Sequence, residues 1–419
     1  MQQIDPALPD NQREQLCLKL CREHLGLSSP SFLCIEDTKK PAYYFEKKDG
    51  TLHIGIIKKP FAQGLLKAIH DIQALNPTDT TPLAITSSKV AVLPRQETNI
   101  PLVAKTLEDQ KKLPREVTQF TSAIPTSVPV FVNGKVKQVL LMPKYAGSFE
   151  DNEWTRTDGT KRQMKLSDIP KVITTMVQPL IHMREHGKAH GDVKPPNFLI
   201  NIGDNDELIA YLHDFDATTD FGNFRSIRTS PYADIPDIVT PFCDVYALSL
   251  SLTKKVFFEQ KYDFHLFTYL GTQNEYVLNN CMIVPKINTI IQNSSLKDLI
   301  EPHLVSCNKE NYISDVLRII EQLPPSPEKE QLLKDIAIVE RTIKILQKAL
   351  QSNAKHITKL QDQRFKDNVK NYTSNKKTRK FYQKNLLTLE EIVDILNGTK
   401  PPIPPPRKSL LRRLLLCTC

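Results

Sequence analysis

Apolar positions recur along the chain in two rhythms. In residues 9–26, Leu16, Leu18, Leu20 and Leu25 stand among charges behind Asp10, which predicts a helix with an acidic start. Tyr43-Tyr44-Phe45 and the run Leu52 to Ile57 flank Lys47-Lys48-Asp49-Gly50, the pattern of a β-hairpin with an Asp-Gly turn. Residues 61–75 space their apolar side chains like a helix. From Leu83 onward Ile85 to Leu93, Pro101 to Leu107 and Val136 to Met142 are apolar and β-branched and predict strands, with a short helical segment near Arg115-Glu116-Val117. After residue 167 the rhythm turns helical: Ile169 to Glu185, Val245 to Phe258, then weaker segments to about residue 322.

Pro324-Pro325-Ser326-Pro327 marks a boundary. Behind it Leu332, Ile336, Val339, Ile343, Leu346 and Leu350, then Ile357 and Leu360, follow the four-three spacing of a coiled-coil seam. Such a helix either packs back on the preceding part as a helical hairpin or forms a homodimer. A short helix from Leu389 to Leu396 precedes Gly398, and Lys400 to Lys408 reads as extended polyproline. The expected organisation is an accessory region over 1–80, a small β-rich lobe over 81–146, a larger helical lobe over 147–323, a coiled-coil-like helix over 328–370 and a basic, proline-rich tail over 371–419. A small β-rich lobe followed by a helical one is a layout that places a nucleotide in a cleft.

The 419 residues are 40% hydrophobic, contain 30 prolines and carry a formal charge of +9. The charge sits late. Between Arg364 and Lys384 there are eight basic residues against the single acid Asp367, and Arg407, Lys408, Arg412 and Arg413 follow. A solvated helix face is the simplest reading, an anionic membrane surface the next. Specific nucleic-acid binding is not expected, because aromatics are not interleaved for stacking. The eight cysteines show no recurring metal-type pair, and neither a signal segment nor a membrane-length apolar run is present. A reducing, cytoplasmic setting is expected.

The densest chemistry is His190-Gly191-Asp192-Val193-Lys194-Pro195-Pro196-Asn197-Phe198-Leu199, followed by His213-Asp214-Phe215-Asp216. An Asp, a Lys two residues later, an Asn five residues later and a second Asp beyond a strand and turn are the parts of a phosphoryl-transfer site. One carboxylate orients a hydroxyl, the lysine neutralises the moving phosphoryl group, and the amide and second carboxylate hold magnesium.

Over roughly residues 83–320 the chain resembles the eukaryotic-type protein kinase superfamily. The resemblance implies an α+β, bilobal protein-kinase-like fold with helical N- and C-terminal extensions, and ATP and magnesium as cofactors. It makes Asp192 and Lys194 catalytic, Asn197 and Asp214 metal ligands, and Leu199 the floor of the adenine pocket. Val103-Ala104-Lys105 resembles the strand whose lysine holds the α- and β-phosphates, and Leu113-Pro114-Arg115-Glu116-Val117 the helix whose glutamate, Glu116, pairs with Lys105. Leu140 to Ser148 resembles the hinge, with Met142 against the nucleotide. Thr229-Ser230-Pro231-Tyr232 resembles the substrate-facing segment, with Thr229 toward the acceptor. Asp244 opens a segment resembling the central helix whose Asp anchors the catalytic loop.

There are departures. No glycine-rich loop exists; Ser87 and Ser88 stand where it would cap phosphates. Gly191 replaces the arginine that grips an activation-loop phosphate, so activity is not expected to need loop phosphorylation. Asp216 stands in place of glycine.

Lys194 matches the serine/threonine pattern, which implies a protein substrate. Gly191 and Asp216 instead resemble the aminoglycoside and choline kinases, so a small-molecule acceptor is the alternative, and a pseudokinase scaffold a further one. Pro402 to Arg407 spaces two prolines and a cation for a polyproline-binding partner, a plain linker being the simpler reading. Leucines and arginines from Leu410, ending Cys417-Thr418-Cys419, read most simply as an apolar, disordered end; they also suit membrane-surface contact and resemble a prenylated ending. A divergent small lobe with such a tail would suit a bacterial effector reaching host cytosol.

Overall fold

The structure is a computed structural model. It describes the backbone of residues 31–34, 42–48, 51–63, 67–75, 82–94, 126–132 and 135–141, and residues 117, 121, 142–156, 158–224, 237–258 and 282–399 with their side chains. The architecture is mixed α+β, in two compact units: Met1–Ala146 with Asp214–Asp216, and Gly147–His213 with Ala217–Cys419.

Among its described residues the first unit holds seven strands: β1 (Ser31–Cys34), β2 (Ala42–Lys48), β3 (Thr51–Gln63), β4 (Lys67–Leu75), β5 (Pro82–Pro94), β6 (Thr126–Val132) and β7 (Lys135–Pro143). They close a barrel in the order β1-β2-β3-β4-β5-β7-β6, sealed by β1 running parallel to β6. The hairpin is present, its pairing carried to Lys48 opposite Thr51, as a two-residue connection requires. The expected division at residue 80 has no counterpart in this sheet, because strands from both sides of it share one barrel.

The helix expected over 61–75 is not formed. The segment is the end of β3 and then β4, which pairs antiparallel with β3 on one side and β5 on the other. Ile69, Ile72 and Leu75 mimic helical spacing, but two flanking strands offer main-chain partners that outweigh a local preference. The ladder absorbs irregular spacing in register slips around Pro60 and opposite Gln73. The helix expected over 9–26 and the strand Pro101 to Leu107 lie outside the described residues; Val117 is helical and buried.

The second unit opens with β8 (Gly147–Ser148) and the ribbon β9 (Glu153–Thr155) and β10 (Lys161–Gln163). Helix α1 (Ile169–Glu185) starts at Pro170 and buries Ile169, Val172, Ile173, Met176, Val177, Leu180 and Met183, a one-sided stripe. It ends before Gly187, whose φ of +74° favours glycine. Strands β11 (Lys188–Ala189), β12 (Phe198–Ile202), β13 (Leu208–Leu212) and β14 (Thr219–Asp220) form a three-stranded sheet, β13-β12-β8, and a two-stranded one, β11-β14.

Helix α2 (Cys243–Phe257) is buried almost all round. It carries Ser249, Ser251 and Thr253 inside, and each hydroxyl donates to the carbonyl four residues back at 2.8 Å, so no donor is stranded there.

Helices α3 (Val284–Gln292), α4 (Lys297–Leu304) and α5 (Tyr312–Glu321) follow. Then comes α6 (Pro327–Leu360), capped by Ser326 and begun by Pro327. The proline run is therefore a helix start inside the second unit. Leu332, Ile336, Val339, Ile343 and Leu346 are buried, with α6 packed on α2, α3 and α5. The apolar seam is thus covered within the chain, as a hairpin-like return would cover it. Helices α7 (Gln363–Asn368), α8 (Lys376–Asn385) and α9 (Leu389–Asn397) complete the unit, α9 packing on α1 and α6 and ending at Gly398 with φ +71°. Among the described residues no helix is long and apolar enough to cross a membrane.

Candidate active site

The loop from His190 to Asn197 connects β11 to β12, and its shape is fixed by buried polar contacts. Asp244, in the first turn of α2 and 6% exposed, accepts from two successive backbone amides: His190 N–H to Oδ2 at 2.8 Å and Gly191 N–H to Oδ1 at 3.0 Å. A carboxylate at a helix N-terminus is favoured by the helix dipole, and charged acceptors make the stronger hydrogen bonds. The buried imidazole of His190 lies with Nε2 2.9 Å from the His213 carbonyl and Nδ1 3.4 Å from the Asp192 amide. One side chain thus ties the loop to the end of β13.

Gly191 has φ +80°, and a Cβ there would lie 2.7 Å from the Ala217 carbonyl oxygen. No larger residue fits without backbone movement, which gives a steric reason for the missing arginine. Asp192 follows, 9% exposed, with Lys194 Nζ 2.7 Å from its Oδ2. Pro195-Pro196-Asn197 form one 3₁₀ turn, closed by Asn197 N–H to the Lys194 carbonyl at 3.0 Å. The turn aims the buried Asn197 amide back at the loop. Its Nδ2 donates to the Asp192 carbonyl at 2.8 Å and to Asp192 Oδ2 at 3.2 Å. With its nitrogen so used, the oxygen is the atom this amide can offer a cation.

Asp192, Lys194 and Asn197 are thus brought together, with Asp244 beneath them. Leu199 sits half-buried in β12, opposite Tyr211 of β13 and Ser148 of β8. His213 N–H donates to the Asn197 carbonyl at 2.8 Å, so the residue covalently preceding Asp214 is pinned to the loop. Asp214 itself has φ +65°, a conformation few non-glycine residues adopt and one that recurs at functional positions.

Of the remaining expected positions, Met142, Ser87 and Ser88 are described, and they belong to the first unit. Met142 is buried near the end of β7 in the first unit. Ser87 and Ser88 belong to the continuous strand β5 rather than to a turn. They fall where the register against β4 slips between the pairs Asp71–Val90 and Gln73–Thr86. Lys105, Glu116 and Thr229 lie outside the described residues.

Two features escaped sequence reasoning. His190 carries the loop's tie to β13; its signal was its place at the head of the motif. Beside β8, Lys255 Nζ donates to the Asp151 carbonyl and, at 2.8 Å, to Asn152 Oδ1. It also lies over the rings of Phe149 and Trp154, at 5.2 and 5.6 Å. Burial pushes its ammonium down to about 8, against the opposing pull of Glu150 and Asp151. The adjacent Lys254 pairs with Glu150. No sequence motif marks this cluster, since its parts lie about a hundred residues apart.

Among the described residues no group of three or more His, Cys, Asp or Glu side chains is placed to hold a metal ion. An amide oxygen and a carboxylate still suit magnesium, which takes few protein ligands and completes its shell with phosphates and water. No protein-family model and no curated protein matches the chain.

Proposed function

We propose that the protein is an ATP- and magnesium-dependent phosphotransferase that moves the γ-phosphoryl group to a Ser or Thr hydroxyl of a protein, in a bilobal kinase-like fold. The observation that carries the reading is the loop held by Asp244. It fixes Asp192, Lys194 and Asn197 in one hydrogen-bonded group at 2.7 and 3.2 Å from a shared carboxylate oxygen. Positioning and charge neutralisation are what phosphoryl transfer asks of a protein.

In this reading Asp192 accepts a hydrogen bond from the acceptor hydroxyl and turns its oxygen toward the γ-phosphorus. The O–P bond forms as the bond to the β-phosphate oxygen breaks. The products are the phosphorylated side chain and ADP, and the hydroxyl proton leaves by way of Asp192. Lys194 Nζ, already beside that carboxylate, balances charge on the transferring group. On the motif alone Asn197 and Asp214 are assigned to magnesium, which when bound would neutralise the phosphate oxygens. Lys105 with its partner Glu116 is assigned to the α- and β-phosphates, Met142 and Leu199 to the adenine, and Thr229 to the acceptor side; these assignments stand on the motifs alone. Ser87 and Ser88 are left without a phosphate-capping turn. A small-molecule acceptor is the second reading, favoured by the glycine at 191 and the backbone that demands it.

The test is transfer from labelled ATP to a generic basic protein, compared between wild type and Asp192→Asn. Labelling that disappears while the circular dichroism spectrum is unchanged is the expected result. Undiminished transfer by Asp192→Asn refutes the assignment, and labelling of an aminoglycoside or choline instead of protein moves the acceptor to the second reading.

A further inference from the structure

The basic run from Arg364 to Lys384 becomes a definite surface in the second unit. Helix α8 is held through Thr378 and Tyr382, both buried, with Phe365 of α7 edge-on against Phe381 at 4.9 Å and stacked on Tyr382 at 5.9 Å. Asn375 caps its start, accepting from the Lys377 and Thr378 amides at 3.1 Å. At about 3.6 residues per turn, Lys376, Lys377, Lys380 and Lys384 fall within about 100° of arc on the side opposite that buried pair. All four are exposed.

None of the four makes an ion pair among the described residues. Three lysines of α6 face acids: Lys344 with Glu340 at 2.8 Å, and Lys348 with Glu391 and Lys359 with Asp362, both at 3.0 Å. On α8 the lysines meet each other instead. Lys376, Lys380 and Lys384 repeat at the spacing of four at which like charges on a helix repel. Lys376 and Lys377 occupy a first turn that holds no acid, where the helix dipole opposes a cation. The chain therefore keeps this face at an electrostatic cost, with no described carboxylate paired to it.

We infer that this face of α8 is a docking surface for an anionic lipid bilayer. Four unpaired lysines on one side are the charge complement of a negative headgroup layer. The chemistry of the face favours that partner over other polyanions. A protein partner needs apolar anchors at the centre of its interface, and the large apolar side chains exposed among the described residues, Phe224, Leu299 and Val305, belong to other segments. Nucleic acid is read by arginine forks and stacking aromatics. The arginine of α8, Arg379, is turned to the Thr373 carbonyl at 3.1 Å, and the rings of Phe381 and Tyr382 are packed on Phe365. What remains is ammonium point charges on flexible stems, which suit a laterally mobile layer of headgroups. The inference uses nothing of the phosphoryl-transfer reading.

Co-sedimentation of the full chain with vesicles tests it. Vesicles of equimolar phosphatidylserine and phosphatidylcholine should carry the protein down, vesicles of phosphatidylcholine alone should not, and binding should fall as salt is raised. Each of Lys376→Gln, Lys380→Gln and Lys384→Gln should lower the partition coefficient about fivefold, and the three together about a hundredfold. The triple variant Lys344→Gln, Lys348→Gln, Arg318→Gln removes the same formal charge from paired positions, Arg318 lying 3.1 Å from Asp315. It should bind within about twofold of wild type, since separated surface charges are screened. The α8 triple variant, relieved of repulsion along the helix, should melt no lower than wild type.

Equal sedimentation with the two kinds of vesicle overturns the inference, as does an α8 triple variant that binds like the wild type. A clearly lower melting temperature in that variant overturns it too, because the lysines then serve the fold. Tight binding to a duplex oligonucleotide at a salt concentration where the acidic vesicles release the protein would give the face to nucleic acid instead.

Discussion

Gly191 shows how one residue joins backbone geometry to chemistry. Its left-handed conformation and the Ala217 carbonyl 2.7 Å from the absent Cβ leave no room for a side chain. Gly191→Ala should cost at least about 1–2 kcal/mol from the conformation alone, read by denaturant unfolding, and should displace Asp192 enough to lower any transfer rate. Lys255 makes a different prediction. Its ammonium is depressed by burial to about 8, so the unfolded chain keeps a proton there that the folded chain gives up as pH rises. Stability relative to Lys255→Met should therefore climb from about pH 8 toward the ordinary lysine value near 10.4, where the unfolded group also loses its proton. Competitive acylation followed by mass spectrometry should give the side chain a midpoint near about 8, and an ordinary lysine value refutes the burial argument. The sequence displayed Asp192, Lys194, Asn197 and Asp244 because their spacing is local or their motif is short. It could not display Lys255, whose partners lie on a turn about a hundred residues away. Nor could it show why position 191 is glycine, since the obstructing carbonyl comes from residue 217.

Among the elements, α1, α2 and α9 were legible because each carries one continuous apolar rhythm with clear ends: Pro170 at one start, Gly187 and Gly398 at two stops. Residues 67–75 were not, because spacing of three is shared by a helix and by a strand whose ladder slips, and only the neighbouring strands decide. Helix α9 is tied to α1 by Arg184, whose guanidinium forks onto Glu390 at 2.5 and 3.0 Å. Burial opposes it, yet the guanidinium and its hydrogen bonds hold the Glu390 carboxyl below its usual value. The stability this pair adds is present above the ordinary carboxylate value and is lost as pH falls through the depressed one. With Glu390 about half exposed, solvent screening limits the contribution to about 1 kcal/mol. Glu390→Gln should lower the melting temperature at pH 7 and flatten the acid limb of the stability curve between those two values. A variant whose acid limb keeps the wild-type slope refutes the coupling.

Across the whole molecule, the four-three series from Leu332 was legible only in part: the helix expected over 328–370 ends at Leu360, and Ile357 and Leu360 are not among its buried residues. Periodicity gave a long helix and its buried face, not the surface that covers it. Here that surface includes α2. Ile336→Ala should cost about 2–5 kcal/mol as a core cavity, checked by urea unfolding at two protein concentrations. A midpoint that shifts with concentration would mean that a second copy covers the seam instead. The packing also sets an order of events. The carboxylate that shapes the Asp192 loop sits on a helix whose outer side is closed by residues made about ninety positions later. A chain emerging from the ribosome cannot complete that core until α6 has been translated, and contacts of such long separation form late. Loop geometry and C-terminal helices therefore mature together, so translation that stops short of α6 should yield an unfinished and protease-sensitive chain rather than a smaller folded one.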